Sequence, residues 1–120
     1  MLKRLDTLEV ATSDLSDAAS IYEKNFGFQV KREGDAATVK VGGAEIKLRT
    51  GEVAAAAMTA NGESMMGLWL EADDVDRVAA ALKKAGIDAG VPGRDADRRV
   101  LTIDPKHANQ VPLFIFDRKA

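Results

Sequence analysis

One order of elements occurs twice along the chain, and this internal repeat constrains the fold more than any other feature. An alternating segment, Leu5–Ala11, is followed by a polar break and by an amphipathic helix that runs to about Phe26 and stops at Gly27. The same order returns with the alternating segment Gly67–Ala72 and with a second amphipathic helix that stops at Gly86. Three short extended segments follow each helix. Because chance rarely repeats so long an order, the sequence predicts two βαβββ modules.

Turn residues separate the extended segments of each module. These segments are Phe28–Arg32, Ala37–Val41 and Glu45–Arg49 in the first module, and Asp88–Val91, Arg99–Ile103 and Val111–Phe116 in the second. Ser16 is the expected N-cap of the first helix. The stretch Thr50–Met65 has no clear period and is predicted to be a linker or loop, with a partly helical segment as the alternative. We therefore expect a single domain, with module one at about residues 3–49, the linker at about 50–65 and module two at about 66–118.

Strand periodicity divides the side chains of each module between two faces. The apolar set should face the helices and consists of Leu8, Val10, Leu68, Leu70, Leu113 and Ile115. The alternate set should line the interior of a cup-shaped mixed sheet and consists of Thr7, Glu9, Lys47, Arg49, Gly67, Trp69, Glu71, Pro112, Phe114 and Phe116. The predicted fold class is therefore α+β, with its candidate site inside the cup.

These segments resemble the vicinal-oxygen-chelate superfamily, which includes glyoxalases, bleomycin-resistance proteins and dioxygenases. The resemblance rests on Leu5–Val10 with Ser13–Leu15, on Ile21–Phe28, on Gly67–Val75, and on the stretch from Asp104 to Leu113. It is closest in pattern to glyoxalase-like and methylmalonyl-CoA-epimerase-like members. It implies the glyoxalase/bleomycin resistance/dioxygenase fold for nearly the whole chain, apart from the linker, and a homodimer as the assembly.

The metal ligands of that superfamily do not carry over to this sequence. In its metal-dependent members, four strands each supply one ligand, usually His, Glu or Gln, to a divalent cation. By the resemblance these positions fall on Thr7, Lys47, Gly67 and Phe114. Lys47 would place a positive charge where the cation should sit, and Phe114 would fill that side with apolar volume. We therefore expect no metal and no cofactor; the alternative is a divalent metal on a displaced ligand set that uses Glu9 or Glu71.

Composition excludes several other classes of function. The chain has no cysteine, so it has no disulfide, no thiolate zinc site and no cysteine nucleophile. The net charge of −2 offers no basic face to nucleic acid. No stretch approaches the roughly 20 apolar residues that span a membrane. No signal peptide is evident, and we expect a cytoplasmic protein whose one histidine, His107, faces solvent in a turn.

Glu9 is the most informative of the candidate site residues. A carboxylate inside a strand is costly unless it is paired, hydrated or protonated. Lys47 and Arg49 are predicted on the same face, so Glu9 either joins an ion-pair network there or reaches solvent at the open cup. The functional alternative is an anchor for a ligand, or a general base.

The aromatic candidates are Trp69, Phe114 and Phe116. Trp69 is either a packing residue or a stacking wall for a flat ligand. The two phenylalanines either line an apolar pocket or fill the cup. Arg99 is either a solvated loop charge or a cation at the pocket mouth that holds an anionic group.

Three functions remain open at this point. The first is a metal-independent module that binds a small, partly aromatic molecule in the cup. The second is an enzyme of the isomerase, lyase or dioxygenase type, with either a displaced metal or metal-free acid/base chemistry at Glu9. The third is a plugged domain that acts only as a scaffold or dimerisation unit. The sequence favours the first, so we expect a ligand-binding protein rather than an enzyme.

Overall fold

A computed structural model of the protein describes residues 2–62, 65–108 and 112–119. Within those ranges the chain forms eight strands and three α helices. In chain order they are β1 (Leu2–Ala11), α1 (Leu15–Phe26), β2 (Val30–Glu33), β3 (Ala36–Val41), β4 (Ala44–Arg49), α2 (Glu52–Asn61), β5 (Met65–Ala72), α3 (Val75–Lys84), β6 (Gly93–Asp95), β7 (Arg98–Ile103) and β8 (Leu113–Asp117). The βαβββ order occurs twice, and the predicted α+β class is confirmed.

By its internal contacts the chain divides into two compact units. The first unit is Thr7–Gly67, and the second is Met1–Asp6 together with Leu68–Ala120. The single domain with the predicted module boundaries stays a prediction. No helix in the described ranges is long and apolar enough to cross a membrane.

The first unit orders its strands β2-β3-β4-β1, and β1 runs parallel to β4 with Thr7 beside Glu45. One face of these strands packs against α1 in a core of Ala19, Ala37, Val39 and Leu48, with Val10, Leu15 and Tyr22 around it. The N-cap of α1 is Asp14, whose Oδ1 accepts from the Asp17 amide at 3.0 Å, so the Ser16 prediction is wrong. The glycine stop is confirmed, because Gly27 has a φ of 70°.

The prediction of a loop at Thr50–Met65 is wrong over residues 52–61, where the partly helical alternative is confirmed. The stretch Thr50–Met65 contains the helix α2, although residues 63 and 64 lie outside the described residues. Four consecutive alanines supply the highest helix propensity of any residue, and this outweighs the missing amphipathic period. Ala54 from this run is fully buried, so packing adds to the propensity.

The second unit orders its strands β5-β8-β7-β6, with β5 parallel to β8. Its core contains Ala72, Val75, Val78, Leu101, Ile103 and Ile115, with Leu70, Leu82 and Leu113 packed against it. The predicted assignment of Leu70, Leu113 and Ile115 to the helix-covered face is therefore confirmed. Asp88–Val91 is not a strand, because Gly90 adopts a φ of 73° and its amide donates to Asp88 Oδ1 at 2.9 Å. Val111 lies outside the described residues.

A buried carboxylate ties β8 to the start of α3. Asp117 is 1% exposed, and its oxygens accept from the Val75 amide at 2.8 Å and from the Lys119 amide at 3.1 Å. Arg99 donates to the same carboxylate through Nη2 at 2.6 Å and Nε at 3.0 Å. Burial by itself raises the pKa of Asp117, but these hydrogen bonds outweigh burial and lower the pKa to about 2.

Candidate functional site

Three aromatic side chains lie together on the face of the second unit that points away from α3. Trp69 is opposite Phe114 in the β5–β8 register, and their rings stack with centroids 4.5 Å apart and planes 17° from parallel. The Phe116 ring meets Trp69 edge-on at 6.2 Å. Strand alternation produces this arrangement, because the intervening Leu70 and Ile115 point to the helix. We call Trp69, Phe114 and Phe116 the aromatic strip.

A cavity of about 410 Å³ opens beside the aromatic strip. It is lined by Trp69, Ala89, Val91, Gly93, Arg94, Asp95, Val100, Thr102 and Phe114. Its volume lies in the range of roughly 300–1,000 Å³ that is usual for small-molecule sites, and most of its walls are apolar with a few polar groups. Val91, one of these lining residues, is 92% exposed. We call this space the Trp69 cavity.

Two guanidinium groups contact the aromatic strip. The Cζ atom of Arg98 lies 4.6 Å from the Trp69 ring centroid and 5.2 Å from that of Phe116. The Cζ atom of Arg118 lies 5.1 Å from the Phe116 centroid. These distances are typical of cation–π contacts. Arg98 Nη2 also donates to Asp95 Oδ2 at 2.7 Å.

Arg99 does not lie with these groups, so its expected position at a pocket mouth is corrected. It projects from β7 on the α3 side, where it contacts Asp117, Asp76 Oδ2 at 2.9 Å and Asp74 Oδ1 at 3.3 Å. The hydrogen bonds that Arg99 donates to the Asp117 and Asp76 carboxylates raise the pKa of Arg99. Sequence reasoning missed Arg98, although a signal existed. If Leu101 and Ile103 face the helix, residue 98 must face away from it.

The polar candidates Glu9, Lys47 and Arg49 lie in the first unit. Glu9 Oε2 is 2.7 Å from Arg49 Nε, and the Glu9 side chain is only 12% exposed. Lys47 is opposite Glu9 in the β1–β4 register. Burial of this carboxylate is thus offset by an ion pair, in line with the structural interpretation of Glu9.

The residues at the family's metal positions do not fit a divalent cation. Gly67 is buried within β5 and has no side-chain donor, and the Phe114 ring stacks on Trp69. Lys47 carries a positive charge, and Thr7 offers only a hydroxyl. Across residues 2–62, 65–108 and 112–119, no group of three or more His, Cys, Asp or Glu side chains could hold a metal ion. His107 is an exposed residue of the short 3-10 turn Pro105–His107.

A family model decides the classification. The model for the Glyoxalase/Bleomycin resistance protein/Dioxygenase superfamily matches residues 4–107. The chain belongs to this superfamily. The resemblance drawn from the sequence is thereby confirmed, and so is the fold that it implied. A comparison with curated proteins finds no match.

Solved structures of similar fold agree with the classification. The methylmalonyl-CoA epimerase from Mycobacterium tuberculosis has a TM-score of 0.77 at 21% identity, covering 99% of this chain and 90% of that chain. A hypothetical protein from Bacillus halodurans C-125 has a TM-score of 0.77 at 18% identity, covering 98% and 95%. Streptomyces coelicolor methylmalonyl-CoA epimerase in complex with 2-nitronate-propionyl-CoA has a TM-score of 0.76 at 22% identity, covering 100% and 97%. At these identities the likeness concerns the fold alone.

Proposed function

We propose that this superfamily member binds a small, partly aromatic molecule in the Trp69 cavity and needs no metal to do so. The observation that carries the proposal is the stacked pair Trp69–Phe114 on the wall of a mostly apolar cavity. A flat ligand ring can cover the accessible parts of these two rings and so remove apolar surface from water. Thr102 and Asp95 supply polar groups at the wall that can orient the ligand.

Titration of the protein with a panel of neutral phenyl, indole and naphthyl compounds tests this proposal. Trp69 is the only tryptophan, so its fluorescence or its single indole N–H resonance reports on the cavity directly. We expect saturable binding by at least one ring class. Phe114→Ala should weaken that binding about tenfold, since the stacking surface that it removes is worth about 1–1.5 kcal/mol.

The matched control for that experiment is Phe26→Ala. Phe26 lies on α1 in the first unit and is 63% exposed, so its loss should leave the affinity unchanged. A panel in which no compound perturbs Trp69 would refute the proposal. Equal losses of affinity in the Phe114 and Phe26 variants would also count against it.

An enzyme is the second candidate, and the buried Glu9 carboxylate of the first unit is the observation that favours it. Two of the three similar structures named above are methylmalonyl-CoA epimerases, which supports an isomerase as the reaction class. In this version Glu9 is the base that accepts a proton, and Lys47 stabilises the anion that forms.

Glu9→Gln separates the enzyme from the binding protein. If the chain is an enzyme of this kind, the variant should lose turnover by a factor of at least about 100, because the base is gone while its size is retained. Far-UV circular dichroism serves as the control for folding. Full turnover in Glu9→Gln would eliminate this role, and stoichiometric metal in untreated protein would instead point to a displaced metal site.

We also propose that the protein is a homodimer, which its molar mass in solution tests. In the described ranges the surface exposes large apolar side chains, including Leu2 at 53% and Leu5 at 46%, which a second copy of the chain can cover. The cytoplasmic location stays a prediction.

A role as a plugged scaffold is disfavoured by the Trp69 cavity, although the Phe116 ring itself is fully buried and fills space within the second unit.

A further inference from the structure

We propose that Arg98 and Arg118 form an anion-binding subsite at one end of the aromatic strip, so that the ligand is an aromatic carboxylate. This inference rests on the proposed function, because the ring of the ligand would occupy the Trp69 cavity. Beyond the proposed function, this inference specifies the charge of the ligand and the residues that bind that charge.

The β7–β8 register brings the two arginines together. Arg99 is opposite Asp117, so Arg98 and Arg118 are the next pair along these antiparallel strands. Both guanidinium groups lie over the same buried ring, at 5.2 Å and 5.1 Å from the Phe116 centroid. Like charges opposite each other on neighbouring strands destabilise a sheet. A carboxylate bound between them would remove that repulsion.

Most donor groups of the two arginines are not engaged by described protein atoms. Arg98 donates to Asp95 through Nη2 alone. Around Arg118, the nearest carboxylate oxygens belong to Glu71 at 3.8 Å and Asp97 at 3.9 Å, both beyond hydrogen-bond distance. A guanidinium presents five N–H groups in a planar fork that matches a carboxylate. The pair therefore has donor capacity left for an incoming anion.

The charges of the neighbouring acidic groups are too well offset or screened to repel that anion strongly. Glu71 is 13% exposed and is held by Arg4 Nε at 2.9 Å, so its charge is largely offset there. Asp95 and Asp97 have side chains 57% and 78% exposed, where water screens their charges. A ligand carboxylate can share Arg98 with Asp95 or replace it.

The aromatic strip links this subsite to the Trp69 cavity. Arg98 Cζ is 4.6 Å from the Trp69 centroid, and Trp69 in turn stacks on Phe114 at 4.5 Å and lines the cavity. A carboxylate at the arginines therefore places an attached ring over the Trp69–Phe114 pair. An aryl carboxylate of one or two fused rings spans this distance.

The test compares two probes that share a ring and differ in charge. Full-length protein labelled with ¹⁵N is titrated with naphthalene-2-carboxylate and with naphthalene-2-carboxamide, and the Trp69 indole resonance is followed. We expect the acid to bind about tenfold tighter than the amide, as charge-assisted hydrogen bonds do over neutral ones. Arg98→Gln and Arg118→Gln should each abolish most of this preference and leave the amide affinity unchanged.

Arg77→Gln is the matched control. Arg77 is an exposed residue of α3, and its substitution changes the net charge by the same amount as Arg98→Gln or Arg118→Gln. If a glutamine variant does not fold, added salt replaces it as the probe, since salt should weaken binding of the acid and not of the amide. Equal affinity of the two probes would overturn the anion subsite while the proposed function stands. An equal loss of acid affinity in Arg77→Gln would also overturn it. If neither probe shifts the resonance but a phenyl or indole compound of the neutral panel does, only the anion subsite is wrong. If no compound of either set shifts it, both proposals are wrong.

Discussion

Asp117→Asn should lower the free energy of unfolding by about 3 kcal/mol at neutral pH, because it breaks a buried ion pair that other groups cannot replace. The Asp117 carboxylate is 1% exposed and accepts four hydrogen bonds, two of them from Arg99. The asparagine side chain has the same size but no charge. Its NH₂ group would face N–H donors at a position where a carboxylate oxygen now accepts hydrogen bonds. Arg99 would then retain only its contacts with Asp74 and Asp76.

The same prediction has a pH dependence with a definite sign. The pKa of Asp117 is lowered from its usual value of 3.8 to about 2, so the folded state favours the ionised form. This contribution is complete above about pH 4 and is lost as the pH falls toward 2, at a cost of about 2 kcal/mol. Urea unfolding followed by circular dichroism from pH 7 to pH 2.5 measures it. In Asp117→Asn, this part of the acid sensitivity should be absent.

Asp97→Asn is the control for both measurements. Its side chain is 78% exposed, and its contact with Arg118 is long at 3.9 Å, so the free energy of unfolding should change by less than about 0.5 kcal/mol. A loss in Asp117→Asn as small as that in Asp97→Asn would show that the charged cluster at the start of α3 contributes little to stability.

Phe116→Ala should lower the free energy of unfolding by about 4 kcal/mol, since it removes a fully buried ring and leaves a cavity under the aromatic strip. Phe116→Leu keeps most of the volume and should cost only about 1 kcal/mol. Both variants lose the ring over which Arg98 and Arg118 lie. Urea unfolding at pH 7 gives both values.

Phe26→Ala supplies the comparison for Phe116→Ala, because it makes the same substitution at a ring that is 63% exposed. Its cost should be several-fold smaller. Similar losses for the two alanine variants would mean that the Phe116 site collapses around the missing ring, and that the packing described for this face is not a major source of stability.

The architecture follows closely from local patterns in the sequence. The repeated order of strand, helix and three strands predicted both modules, and period-two alternation predicted that Leu70 and Ile115 face the helix while Trp69 and Phe114 face away. These patterns are reliable because they depend only on backbone geometry and on the burial of apolar surface. The glycine stop at Gly27 belongs to the same class, since a positive φ there favours glycine.

The wrong predictions concern segments for which the sequence allows more than one local structure. The run of alanines before Met58 became α2, because helix propensity does not need an amphipathic period. Asp14 took the N-cap in place of Ser16, and both residue types are good caps, so only the entry path of the chain selects between them. The strand expected at Asp88–Val91 formed at Gly93–Asp95 instead, where it can pair with β7.

The sequence by itself determined the superfamily, the two modules and the aromatic composition of one sheet face, since each depends on residue type and spacing. Only the tertiary structure decided which charges meet. It joined Glu9 to Arg49 and Arg99 to Asp117, and it placed Arg98 rather than Arg99 over the aromatic strip. The physical reason is that an ion pair depends on strand register and on side-chain rotamers between residues far apart in the chain, and no local pattern encodes either.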